Sequence, residues 1–291
     1  MVKMQKTILI TGASGFIGHS FLEYIRKKKT FKIYAIYNLN KPRKKFKDIK
    51  YLSYDLTKNN LKKLPRKIDC IVHLAGSRDT FLGGTKAKKQ LILNNKICKN
   101  IIDYSKIIGC EKIIFMSSVY IYSGLTAKKK HSVNIIKKKP KENLGISKFN
   151  SERAFIKFSR FRNNKVLILR LFTAYGKLSS STQLIPSLIK KFKSQDKTIR
   201  FHSSIIRRDF IHISDVCSAI YKSIELIFKM KINHKIFDIG FGKSVNIMKI
   251  ITLISNQLQH KKILRFVSQK KKMKGDLNHY SNIKKTCKEL N

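Results

Sequence analysis

No run of eighteen uncharged apolar residues occurs in the chain, so no helical membrane span is expected. The longest apolar stretches, such as Lys112 to Met116 and Val166 to Phe172, have the length of strands. The first ten residues run straight into a strand ahead of a glycine turn. That leaves no room for a cleavable leader and predicts a cytoplasmic protein. The five cysteines (Cys70, Cys98, Cys110, Cys217 and Cys287) form no CxxC pair, and no histidines stand at metal-ligand spacing. Idle thiols in a reducing compartment are predicted, and no metal site. Acidic residues are scarce, 16 against 64 lysines and arginines, for a formal charge of +48. Such a field favours phosphate backbones. Arginine, the better reader of phosphates and base edges, supplies only 12 of the 64, and the lysines spread over nearly every segment. Lysine, isoleucine and asparagine are enriched together, as AT-rich codons would produce. The charge reads as composition acting on solvated positions, so no specific nucleic-acid partner is expected.

What is present is a globular chain. Its 291 residues are 42% hydrophobic, enough for one large domain or a large and a small one. Lys6 to Ile10, Phe31 to Tyr37, Ile49 to Tyr54, Asp69 to Leu74, Lys112 to Phe115 and Lys165 to Leu171 read as strands. Helical patterns fall between them at Phe16 to Lys27, Lys86 to Ile107 and Ser147 to Phe161. This alternation predicts an α/β fold with a Rossmann-type doubly wound parallel sheet. The rhythm changes after Gly176. Residues 1–176 are therefore expected to form a dinucleotide-binding domain, and 177–291 a smaller mixed α/β carboxy-terminal lobe that exchanges elements with it.

Thr11 to Gly18 follows the first strand and opens the first helix, with glycines three apart at Gly12, Gly15 and Gly18. Glycine lets the backbone approach a pyrophosphate, and the helix N-terminus supplies N–H groups and a positive dipole end. Ser14, Phe16 and Ile17 complete this candidate cofactor turn. A site preferring NAD would carry a carboxylate at the end of the second strand. Here Asn38 stands there, with Lys41, Arg43 and Lys44 after it. This favours NADP, with NAD as the alternative.

The chain resembles the extended short-chain dehydrogenase/reductase family, the NAD(P)-dependent sugar-nucleotide epimerases, dehydratases and reductases. Asp55-Leu56 looks like its adenine-contacting pair, and His73-Leu74-Ala75-Gly76 is similar to its HLAA segment. Asn94 and Asn100 match asparagines of its central helix, and Ser118 stands at its catalytic Ser or Thr position. Arg170 to Gly176 resembles its LRxFNxYG segment, with Thr173 in the substrate-facing place. Arg208-Asp209-Phe210 resembles its RDF, whose arginine grips a nucleotide diphosphate, and Gly275-Asp276 its late GD pair. In that pair's neighbourhood Met273 replaces a frequent arginine, with Lys272 and Lys274 beside it. The resemblance implies a nucleotide-sugar substrate and surface-polysaccharide synthesis, and a homodimer is the expected assembly.

The family's reaction uses a Tyr-x-x-x-Lys pair on a helix. Lys148 occupies the lysine position, followed by Glu152, but Leu144 stands in place of the tyrosine. Leucine cannot move a proton. Tyr120, Tyr122, Asp79 and His131 are the nearby acids and bases. Aromatic packing is the expectation for the two tyrosines, and a solvated loop setting for the other two. The leading expectation is an enzyme acting on a nucleotide-activated sugar through Ser118 and Lys148. A catalytically impaired nucleotide-binding homologue with a regulatory or structural role is the alternative, and an RNA-associated protein ranks last.

Overall fold

A computed structural model describes residues 5–77, 84–124, 139–196, 198–201, 207–259, 263–266 and 280–290. In chain order it contains β1 (Thr7–Thr11), α1 (Phe16–Arg26), β2 (Lys32–Tyr37), β3 (Ile49–Ser53), β4 (Cys70–His73), α2 (Gly84–Ile108) and β5 (Lys112–Ser118). Next come α3 (Asn143–Ser159), β6 (Lys165–Leu171), β7 (Thr173–Tyr175), α4 (Leu184–Lys193), β8 (Thr198–Phe201), β9 (Arg207–Arg208) and β10 (Phe210–His212). The remainder is α5 (Ile213–Lys229), β11 (His234–Ile239), β12 (Val245–Asn246), α6 (Ile247–Gln257), β13 (Ile263–Phe266) and α7 (Lys284–Leu290).

Seven strands form one sheet in the order β11-β6-β5-β4-β1-β2-β3, and every pairing is parallel. This is the expected Rossmann-type α/β architecture. The central strands are apolar along their whole length because helices cover both faces. Side-chain alternation divides the core accordingly. Ile8 and Ile10 of β1 join Phe21 and Leu22 of α1 and Ile220 and Ile224 of α5 on one face. Leu9 joins Ile101 and Tyr104 of α2 and Phe155 of α3 on the other.

The seventh strand, β11, comes from beyond Gly176 and pairs with β6, while α5 from the same region packs on α1. The remaining late elements make three small two-stranded pairs: β10 with β7, β12 with β9 and β13 with β8. A separate small core of Leu188, Phe192, Ile199 and Ile251 holds α4, β8 and α6 together. The helix expected from Ser147 begins earlier, at Asn143, with Glu142 as the extended residue before it. Leu144 and Lys148 therefore lie one turn apart on the same helix.

Candidate active site

The strand order reverses beside β1, and ligands of open α/β sheets bind at such a switch point, beyond the carboxyl ends of the strands. Here the turn after β1 meets the segment after β4. Thr11 fixes that meeting. Its hydroxyl accepts from the N–H groups of Leu74 and Ala75, each at 3.1 Å, and lies 2.8 Å from His73 Nδ1. His73 is buried, and its pKa is pushed down to about 3 by burial and, secondarily, by the cation of Lys148. It stays neutral and structural.

Gly12 adopts φ +77°, and a β-carbon there would stand 2.9 Å from the Ala75 nitrogen. A β-carbon on Gly18 would overlap the Gly12 carbonyl, so both glycines are required by the turn itself. Gly15 differs. It is exposed and precedes α1, which has neither a side-chain cap nor an acidic residue in its first turn. The first N–H groups of a helix lack intrahelical partners, so this uncapped end suits an anion.

A cavity of about 560 Å³ runs along this turn, lined by Gly12, Gly15, Phe16, Ile17, Gly18 and Leu74 among others. A second cavity of about 180 Å³ holds Ser118, Leu144, Lys148, Thr173 and Arg208. Ile17, Leu74, Gly76, Tyr120 and Thr173 line both. A glycine cradle, an open helix end and an adjoining cavity fit a dinucleotide whose pyrophosphate lies on α1.

Within the smaller cavity, Lys148 Nζ donates to the Met116 carbonyl at 2.8 Å and lies 4.7 Å from the Phe115 ring centre. A β-carbon on Gly76 would stand 3.9 Å from the same Nζ. Ser118 ends β5, and its hydroxyl accepts from the Tyr120 N–H at 3.4 Å, opening a short 3-10 turn over Val119–Tyr122. Leu144 is buried, with 6% of its surface exposed.

Other expected site residues hold the frame. Asn94 accepts from the Ser77 N–H at 2.8 Å and donates to its carbonyl at 3.0 Å, fixing the chain after β4. Asn100 donates to the Leu56 carbonyl at 2.8 Å. Leu56 is buried in the core on the α2 face, and Ala75 packs against it. Burial would raise the Asp55 pKa, but bonds from the Thr57 N–H and hydroxyl, with Lys58 and Lys96, hold it below the usual range. Asn38 and Arg43 are exposed beyond β2. Their loop is anchored by buried Phe46, over which the Arg26 guanidinium lies at 4.8 Å. Asp79, His131, Met273, Lys272, Lys274, Gly275 and Asp276 lie outside the described residues.

Two groups were not foreseen. The buried carboxylate of Asp209 accepts from the N–H groups of Phe241 (2.7 Å), Gly242 (3.0 Å) and Ser281 (2.9 Å), and from the Ser281 hydroxyl (2.6 Å). It thereby holds Arg208 at the cavity wall. Behind the cavity, Glu152 pairs with Arg170 at 2.8 Å and accepts from Ser117 at 2.6 Å. Arg170 also donates at 3.0 Å to the Tyr122 hydroxyl, which donates to Asp238 at 2.7 Å. Only the Arg-Asp-Phe motif hinted at the first. The second joins α3, β5, β6, β11 and the 3-10 turn, and no spacing reveals it.

The sequence profile of the NAD dependent epimerase/dehydratase family matches residues 8–240, and the chain belongs to that family. Among curated relatives it is 28% identical to the dTDP-4-dehydro-6-deoxyglucose reductase of Escherichia coli, covering 89% of this chain and 84% of that one. It is 27% identical to the GDP-6-deoxy-D-talose 4-dehydrogenase of Aggregatibacter actinomycetemcomitans, over 87% and 80% of the two chains. Its fold is that of the UDP-glucuronic acid 4-epimerase of Bacillus cereus, solved with UDP-glucuronic acid and NAD. The TM-score is 0.84 at 22% identity, over 98% and 92% of the chains. Among the described residues no helix is long and apolar enough to cross a membrane, and no group of three potential metal ligands occurs.

Proposed function

We propose that the protein is an NAD(P)-dependent oxidoreductase, epimerase or dehydratase acting on a nucleotide-activated sugar. One observation carries this reading: the cavity along the glycine turn shares a wall with the cavity holding Ser118, Lys148 and Arg208. A dinucleotide and a nucleotide sugar can meet across that wall. The bound nicotinamide would accept or return a hydride at a sugar ring carbon. Ser118 hydrogen-bonds the reacting oxygen, Lys148 orients the nicotinamide ribose, Thr173 contacts the sugar, and Arg208 meets the diphosphate. Asn38 and Arg43 lie on the side of the adenine ribose, where the absence of a carboxylate favours NADP over NAD. We further read the protein as a cytoplasmic homodimer serving surface-polysaccharide synthesis, with 1–176 chiefly binding cofactor and 177–291 chiefly binding substrate.

Leu144 favours a second reading, a nucleotide-binding homologue that has lost catalysis. Calorimetric titration with NADPH, NADH and UDP-glucose, followed by the appearance of reduced-nicotinamide absorbance when NAD+ or NADP+ is mixed with the sugar nucleotide, separates the two. Binding with hydride transfer supports the enzyme, and binding without it supports the impaired homologue. Failure to bind either dinucleotide removes both.

A further inference from the structure

We propose that Tyr120 acts as the general acid–base of this site, in place of the tyrosine missing at position 144; this rests on the enzymatic reading above. The backbone holds Tyr120 between the two positions that matter. Its N–H donates to Ser118 Oγ at 3.4 Å, and its carbonyl occupies the space a β-carbon on Gly145 would need. Tyr120 is thus fixed beside Ser118 on one side and the start of α3 on the other.

Tyr120 is half-buried, packs against the small apolar group of Val119, Ile121, Tyr122, Phe149 and Phe172, and is among the residues that line both cavities. Five residues line both, and only Tyr120 and Thr173 among them carry a hydroxyl. A phenol is a far stronger acid than an aliphatic alcohol. Lys148 lines the smaller cavity with Tyr120.

Comparison with Tyr122 sharpens the choice. The Tyr122 hydroxyl is engaged by Asp238 at 2.7 Å and Arg170 at 3.0 Å, and its side chain is fully buried. Burial first, and then the charge of Asp238, push its pKa far above the usual phenol range. Tyr122 is spent on structure. Among the described residues the Tyr120 hydroxyl makes no hydrogen bond, which leaves it available to a ligand.

In the reductive direction the Tyr120 O–H bond breaks and its proton passes to the oxygen of a sugar ketone. A reduced nicotinamide held in the adjoining cavity would supply the hydride that the carbonyl carbon takes up, leaving an alcohol and the oxidised cofactor. Water then returns a proton to the phenolate. Oxidation of the alcohol runs through the same steps in reverse.

The test compares wild type, Tyr120→Phe and Tyr120→Phe/Leu144→Tyr. The probes are NADH and NADPH for binding, NAD+ and NADP+ as hydride acceptors for transfer, and UDP-glucose, UDP-glucuronic acid and their dTDP, GDP and CDP counterparts. Calorimetry reads binding, and single-turnover nicotinamide absorbance across a pH series reads transfer. Tyr120→Phe should bind dinucleotide and sugar nucleotide as wild type does, yet transfer hydride about 10²–10⁴-fold more slowly. The pH dependence of its transfer rate should differ from that of wild type, and the double variant should recover part of the rate. A Tyr120→Phe rate equal to wild type overturns the assignment, as does loss of ligand binding in that variant. Wild type that binds dinucleotide but oxidises none of these sugars also overturns it, while dinucleotide binding stands. Failure of wild type to bind any dinucleotide overturns the functional reading itself. If Tyr120→Phe does not fold, Tyr120→His and Tyr120→Gln decide the matter. Turnover kept by histidine and lost by glutamine supports the role, and equal rates refute it.

Discussion

The carbonyl oxygen of Tyr120 lies where a β-carbon on Gly145 would have to stand, so the turn after β5 and the start of α3 fit only around a glycine. In an exposed helix, replacing glycine by alanine gains up to about 1 kcal/mol. Here the sign should reverse. Gly145→Ala must push the helix or the turn aside, an overpacking cost of about 1–3 kcal/mol. Chemical denaturation measures it, and a variant as stable as wild type would refute the packing described.

Glu152 and Arg170 form a buried ion pair behind the cavity that holds Ser118 and Lys148, with side chains 4% and 0% exposed. Removing one partner leaves an uncompensated charge, at a cost of about 3–5 kcal/mol. Arg170→Met should therefore be severely destabilising. Arg170→Met combined with Glu152→Gln should recover part of that loss, because the Glu152 charge goes with its partner's, while Asp238 still loses the Arg170 cation. Denaturant midpoints for the four proteins of this cycle give the coupling directly.

Patterns that are local in the chain made the fold and part of the site legible. The glycine turn, the alternation of strands with helices and the leucine at 144 each stand out within a few residues. Side-chain partnerships across the sheet do not. Asn94 reads as a polar residue in a helix, and nothing nearby says that its amide clamps Ser77. Tyr120 and Tyr122 look equivalent in sequence. The short 3-10 turn separates them, sending one to the cavity wall and the other into the Asp238 and Arg170 network. Asp209 gathers partners 32 to 72 residues away, a distance over which no spacing rule operates.

Cofactor choice should rest on the loop after β2. Arg43 is exposed there, and its charge reaches His19 of α1, where burial, opposed by Glu23 and aided by Arg43, lowers the histidine pKa. Arg43→Ala should weaken NADPH binding by about tenfold, the scale of one charge-assisted contact, and leave NADH nearly unchanged. Fluorescence titration of both dinucleotides checks this. An equal effect on the two would show that Arg43 does not meet the 2′-phosphate.

The acid limb of stability should reveal two buried groups acting in opposite directions. Burial raises the Asp238 pKa from 3.8 to about 6, against hydrogen bonds from Tyr122 and Asn282 and the cation of Arg170. The folded state therefore binds that proton more tightly than the unfolded chain. Stability linked to Asp238 is complete below pH 3.8 and is lost as pH rises through about 6. His73 has the opposite sign. Its pKa falls from 6.5 to about 3, so its contribution is complete above pH 6.5 and is lost as pH falls towards 3. Between about pH 4 and 6 the two slopes, each about 1.4 kcal/mol per pH unit, oppose each other. Asp238→Asn removes one of them. The variant keeps an acceptor for Tyr122, and any cost at the Asn282 N–H is independent of pH. The difference in unfolding free energy, variant minus wild type, should therefore grow as pH rises from 4 to 6, by about 2 kcal/mol. Urea titrations at half-unit intervals over that range would show it. A difference that stays flat would mean that Asp238 titrates in the folded protein as it does in the unfolded chain.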